Sequence, residues 1–198
     1  MLSPVIVQPY AFDAAFCRNI SHATAKRVLP FVYMRKIAEG SWDDITSWEF
    51  FLDTTEPPAM LCTAVMCIAF TPDHTQVALT RNQRGWDFVG GHVEEGESLE
   101  DALVRESLEE GGFAPVDHQL FGHHKLTSTK PVPHNQRDGF YPHPHAFMPF
   151  FVATINAPLA APTGEEIFES RLFALDALPD YLSEHKIALI HAARDHIL

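Results

Sequence analysis

The stretch GHVEEGESLEDALVRESLEEGGF, Gly91 to Phe113, carries eight acidic side chains among twenty-three residues of otherwise helix-favouring sequence. Ser98 and Asp101 form a capping box, Gly111 and Gly112 supply the stop, and the segment between them is expected to be a helix. At about 100° per residue, Leu99, Ala102 and Leu103 share one face, and Glu106, Glu109 and Glu110 fall on its continuation. A solvated charge run would lie opposite the apolar stripe, whereas here the inward stripe itself turns acidic in its last turn. Val104 and Leu108 lie on the other side. Three carboxylates at a helix C-terminus repel one another and oppose the helix dipole. A divalent cation relieves both, and hard oxygen donors on a helix suit Mg²⁺ or Mn²⁺.

Around this stretch the chain alternates strand and helix patterns. Before it, MLCTAVMCIAF (60–70) and QVALT (76–80) read as strands joined by the turn-rich TPDHT. After it, QLFGHHKLTS (119–128), AFMPFFVATI (146–155) and FESRLFALDAL (168–178) are strand candidates, and Glu184 to Leu198 reads as a closing helix. Strands on both sides of a helix, with a second helix at the end, point to an α/β mixed sheet covered by helices. The texture changes near Glu56-Pro57-Pro58. Upstream, Phe12, Phe16, Ile20 and Ala23 recur at helical spacing, and Ser41-Trp42-Asp43-Asp44 resembles a capping box leading into Ile45, Trp48, Phe51 and Leu52. Residues 1–58 are therefore expected to form a helical N-terminal appendage. Its aromatic stripe of Phe12, Phe16, Trp42, Trp48, Phe50 and Phe51 must pack either on a flank of the sheet in its own chain or on a second protomer, with a homodimer interface the expected form.

The whole chain of 198 residues has a formal net charge of −12, so its surface repels polyanions and offers no footprint for duplex nucleic acid. Cys17, Cys62 and Cys67 form no CxxC pair, which suggests neither a disulfide framework nor a zinc knuckle and points to a reducing compartment. The N-terminus lacks a basic n-region with a long apolar core, and the stretch free of charged residues from Gly139 to Gly164 is interrupted by prolines. A cytoplasmic protein without a membrane span is expected.

Gly91, Glu97, Arg105, Glu106, Glu109, Glu110, Gly112 and Phe113 together match GX5EX7REUXEEXGU, and on these residues the chain resembles the Nudix hydrolase superfamily. Ser107 departs from the aliphatic residue usual there, and Val89 from the proline of many members. The resemblance implies an α/β/α Nudix sandwich over residues 59–198. It implies that the Gly91 carbonyl and the Glu106, Glu109 and Glu110 carboxylates ligate metal, and that Glu97 and Arg105 orient the catalytic helix. The general base implied is a signature glutamate or a later acid; Glu166 occupies such a later place and reads equally as an ordinary loop acid. The substrate implied is a nucleoside diphosphate linked to another moiety, including nucleoside triphosphates and nucleotide sugars. A nucleotide-sensing module without hydrolysis, and an isomerase of the isopentenyl diphosphate type using Cys62 or Cys67, are the alternatives.

Six of the twelve histidines, His118, His123, His124, His134, His143 and His145, fall between 118 and 145. They read as solvated or substrate-facing, or as a second metal site. Trp86, Phe88, Phe140 and Tyr141 are either core or stacking surfaces for a base.

Overall fold

In the computed structural model, residues 34–198 are described, except 136, 137, 158 and 165. The two apolar runs of the sequence analysis form the centre of a mixed sheet. β3 (Ala64–Phe70) pairs in parallel with β8 (His145–Ile155), and β8 pairs antiparallel with β7 (Pro115–Ser128). β4 (Gln76–Asn82), β5 (Gly85–Asp87) and β9 (Glu169–Ala174) extend the sheet on the β3 side, with β9 on β4, while β6 (Val89–His92) lies antiparallel on β3. β3 is buried on both faces, as a central strand between two layers should be. Val65, Cys67 and Ala69 pack with Leu99, Ala102 and Leu103 of α1 (Leu99–Glu106). Ile68 and Phe70 pack with Leu189, Ile190 and Ala193 of α2 (Glu184–Ile197). The expected α/β/α sandwich is thus present, and no described helix is long and apolar enough to cross a membrane.

The described part of the N-terminal stretch corrects the helical reading. Residues 41–52 are not a helix: β1 (Arg35–Ser41) and β2 (Thr46–Leu52) form a hairpin, and β2 continues the same sheet through β7, with Phe50 opposite His124. The expected capping signal is real but belongs to a turn. The Asp43 carboxylate accepts hydrogen bonds from the Ile45 and Thr46 amides at 2.8 and 2.6 Å, an Asx turn that uses the same side-chain-to-backbone chemistry as a helix cap. TSWEFFL then alternates, burying Trp48 and Phe50, and its aromatics suit a pleated surface better than a helix. Trp48, Phe50 and Phe51 are therefore spent in the sheet of their own chain, whereas Trp42 is exposed. The helical expectation for Phe12 to Ala23 lies outside the described residues.

The last strand candidate is also shorter than expected. β9 stops at Ala174, and Leu175–Asp180 is a 3-10 turn leading to α2.

Candidate active site

The acidic helix begins as its sequence dictates. The Ser98 hydroxyl accepts from the Asp101 amide at 3.1 Å and donates to the Asp101 carboxylate at 2.6 Å. After Glu106 the α-helix widens into a π turn, Ser107–Gly111, which ends at Gly112 in the left-handed region with φ 72°. A side chain there would collide with the Ala160 backbone, so glycine is required on two counts. Glu109 and Glu110 both sit on this wider turn, a feature common at functional sites.

Arg105 organises the site. Its Nε and Nη2 donate to the two oxygens of Glu97, each at 2.9 Å, in a bidentate pair. Nη2 also donates to the His92 carbonyl at 2.8 Å, and Nη1 reaches Glu106 at 2.8 Å and Glu109 at 3.3 Å. The orienting pair expected from the sequence is therefore present, and it reaches further, joining β6 to two of the proposed metal ligands. The bond from Arg105 holds the Glu97 carboxyl below its ordinary range, helped by the Glu94 amide, while Glu97 raises the Arg105 guanidinium.

The remaining carboxylates are less comfortable. Burial pushes Glu106 up despite Arg105 beside it. Glu110 is raised to about 7, by burial first and then by Glu106, Glu166 and Asp87, and only the Gly90 amide at 3.3 Å offsets this. Glu166 is exposed, on the loop before β9, and near enough to act on Glu110. Gly91 lies under the Glu106 carboxylate. The structure thus brings Gly91, Glu97, Arg105, Glu106, Glu109 and Glu110 into one neighbourhood. Arg105 holds Glu106 and Glu109 while Gly90 holds Glu110, and among the described residues no three acidic, imidazole or thiol side chains close to ligand spacing. The donor set still fits a hard cation: oxygen atoms only, clustered where negative charge is in excess.

The histidines do not gather. His123 and His124 are buried among aromatic rings, with Trp48, Phe50 and Phe150 around His124. His145 bonds Thr127 through Nδ1 at 3.1 Å, and His134 stacks on Tyr141. Of the candidate stacking rings, Phe88 is core, Trp86 packs on Phe173, Phe140 is exposed and Tyr141 is half-buried. Sequence reasoning missed Asp87, Gly90 and the His92 carbonyl. The run WDFVGGH was the available signal, since a strand entering a glycine pair beside an acidic helix brings its backbone groups to that helix.

Residues 60–193 match the NUDIX domain family. The NAD-capped RNA hydrolase NudC of Pseudomonas aeruginosa (strain LESB58) is 30% identical over 117 residues, which are 57% of this chain and 37% of that protein. The chain thus matches well under half the length of the curated relatives. Among solved structures, the Bacillus subtilis pyrophosphohydrolase BsRppH gives a TM-score of 0.57 at 21% identity, covering 81% of this chain and 96% of that one. The NUDIX domain of Shewanella oneidensis NrtR, solved with ADP-ribose, gives 0.51 at 19% identity, covering 69% and 88%. At these identities the structural likeness is one of fold.

Proposed function

Because the chain belongs to the Nudix hydrolase family through residues 60–193, we propose that it hydrolyses a phosphoanhydride bond in a nucleoside diphosphate linked to another moiety. Nucleoside triphosphates, nucleotide sugars and dinucleotides are the substrate classes to test. The observation that carries this reading is the frame in which one guanidinium, fixed by Glu97, holds β6 at His92 and the carboxylates of Glu106 and Glu109.

Glu106, Glu109, Glu110 and the Gly91 carbonyl are the residues that would hold Mg²⁺ or Mn²⁺, which would supply charge neutralisation for a diphosphate and a lowered pKa for the attacking water. Arg105 and Glu97 keep the helix and β6 in register, so the donors stay aimed at one place. Glu109 and Glu166 are the two exposed carboxylates there and are the candidates to accept the proton of the attacking water. Glu166→Gln tells them apart: a fall in kcat with metal binding unchanged makes Glu166 the base, whereas an unchanged kcat leaves the role to Glu109, which would hold metal as well.

Burial pushes both the Cys62 and the Cys67 thiols up to about 12, which counts against the isomerase reading. A cytoplasmic homodimer belongs to the same proposal. The exposed Met34 and Trp42 flanking strand β1 support association, and light scattering checks it.

The test is a panel of ATP, ADP-ribose, NAD and a nucleotide sugar with Mg²⁺ or Mn²⁺, read by product mass. At least one should be split at its diphosphate, and only with the cation. Binding without turnover would give the sensing reading instead. Undiminished turnover in excess chelator would overturn the metal assignment.

A further inference from the structure

Between β7 and β8 the chain makes an excursion that hydrogen-bonds to itself. The Tyr141 amide donates to the Val132 carbonyl at 3.0 Å, the His134 amide donates to the Gly139 carbonyl at 3.0 Å, and Pro133 bridges Phe140. Gly139, at φ 106°, makes the bend. Most of these residues are exposed, so little apolar burial orders them.

Among the described residues, Tyr141 and His134 tie this excursion to His92, beside the site already described. The Tyr141 hydroxyl donates to the Asn135 side-chain oxygen and lies 2.8 Å from His92 Nε2, with which it shares a hydrogen bond. His134 stacks on the Tyr141 ring at 4.3 Å. His92 is held at both ends, its ring by Tyr141 and its carbonyl by Arg105 at 2.8 Å. It also directly follows Gly91. The bonds therefore run from the excursion, through His92, into the Arg105 frame.

We propose that Tyr141 and His92 are positioning residues that set the β7–β8 excursion as the wall receiving the nucleoside end of the substrate. The proposal rests on the hydrolase reading above. The diphosphate is placed there at Gly91 and the three glutamates, and the excursion meets the chain one residue beyond, at His92, with the rings of His134 and Tyr141 and the Asn135 amide close by. Rings and amides recognise a base and ribose by stacking and hydrogen bonding. Losing the tether should then loosen binding of the nucleoside end and leave bond cleavage in place.

The experiment compares the wild type with Tyr141→Phe, His92→Ala and His92→Gln on ATP, ADP-ribose and NAD with Mg²⁺, alongside amide hydrogen exchange of residues 132–141. Tyr141→Phe keeps the stacked ring and removes the hydroxyl. It should raise KM about tenfold for whichever probe is hydrolysed, hold kcat within about twofold, and speed exchange in the excursion. His92→Ala, read for KM and exchange only, should shift both as Tyr141→Phe does, adding little on top of it, and His92→Gln, which restores a side-chain amide, should recover most of the loss. Unchanged KM and exchange in both single variants would overturn the proposal, as would a fall in kcat alone. If the wild type hydrolyses none of the probes, the functional reading fails and this one with it. Accelerated exchange would then show the tether to be structural only.

Discussion

The Glu106 carboxylate occupies the space a side chain on Gly91 would need. A Cβ built there would lie 2.3 Å from Oε1 and 2.5 Å from the carboxyl carbon. Glu106 has little freedom to yield, because it is buried and Arg105 holds the same oxygen, Oε1, at 2.8 Å. Gly91→Ala should therefore displace a proposed ligand, lower kcat by about a hundredfold and cost about 1–3 kcal/mol of stability, the usual range for overpacking. Glu106→Ala in the same chain should return most of that stability, since it empties the contested space. Chemical denaturation of the four-member cycle measures the coupling, and simple additivity would show that the two residues do not compete.

Glu110 is half-buried among like charges and answered by one backbone amide. Glu110→Gln should raise the thermal midpoint of the metal-free protein, because a repelling charge is removed. It should also lower kcat by orders of magnitude and weaken metal binding. Glu109 is exposed and already touches Arg105 at 3.3 Å, so Glu109→Gln should damage activity without that gain in stability. Calorimetry in chelator and activity titrated against Mg²⁺ separate the two effects.

His124 predicts how the fold responds to acid. Its two ring nitrogens are buried without a hydrogen-bond partner, and burial lowers its pKa to about 3, with His185 and His123 adding to the shift. The unfolded chain takes up this proton near the ordinary histidine value, whereas the folded chain refuses it until far lower pH. Stability is therefore full above about pH 6.5 and falls as the pH drops toward 3, by about 1.4 kcal/mol per unit for one proton. His124→Leu should flatten that limb in urea denaturation measured at pH 7, 6 and 5. An unchanged slope would mean that other groups govern acid unfolding.

Phe50 is fully buried and meets Phe121, Phe150 and His124 at ring distances between 5.1 and 5.7 Å. Phe50→Ala should cost about 3–5 kcal/mol. A chain starting at residue 57 loses β1 and β2 together and should be insoluble or unfolded, whereas one starting at 34 keeps the hairpin. Circular dichroism of the two truncations decides this. A folded, active chain from 57 onward would show the hairpin to be dispensable.

The site was legible because its chemistry lies in one contiguous run whose helical phase can be counted. Leu99, Ala102 and Leu103 are buried as that phase requires, and Glu97 and Arg105 meet as the family resemblance implied. What stayed hidden came from backbone groups and distant pairing. The acceptor on His92 is a carbonyl, which no side-chain pattern announces, and the Tyr141 tether spans 49 positions. The N-terminal hairpin was misread for a local reason. An aspartate that binds the amides two and three residues ahead opens a helix or a turn with the same bonds, and only pairing with β7 decides between them.

The wide turn at Ser107–Gly111 makes this part of the chain a ruler. A π turn is in effect one residue inserted into a helix, so deleting a single residue between 107 and 111 would let the α-helix run on. Glu109 and Glu110 would then take α-helical spacing in place of the wider turn, and their carboxylates would leave the positions from which they meet Arg105 and the Gly90 amide. Replacement is a different matter, since Leu108 is half exposed and most side chains fit there. Across variants of this protein the segment should accept many spellings at position 108 and only one length.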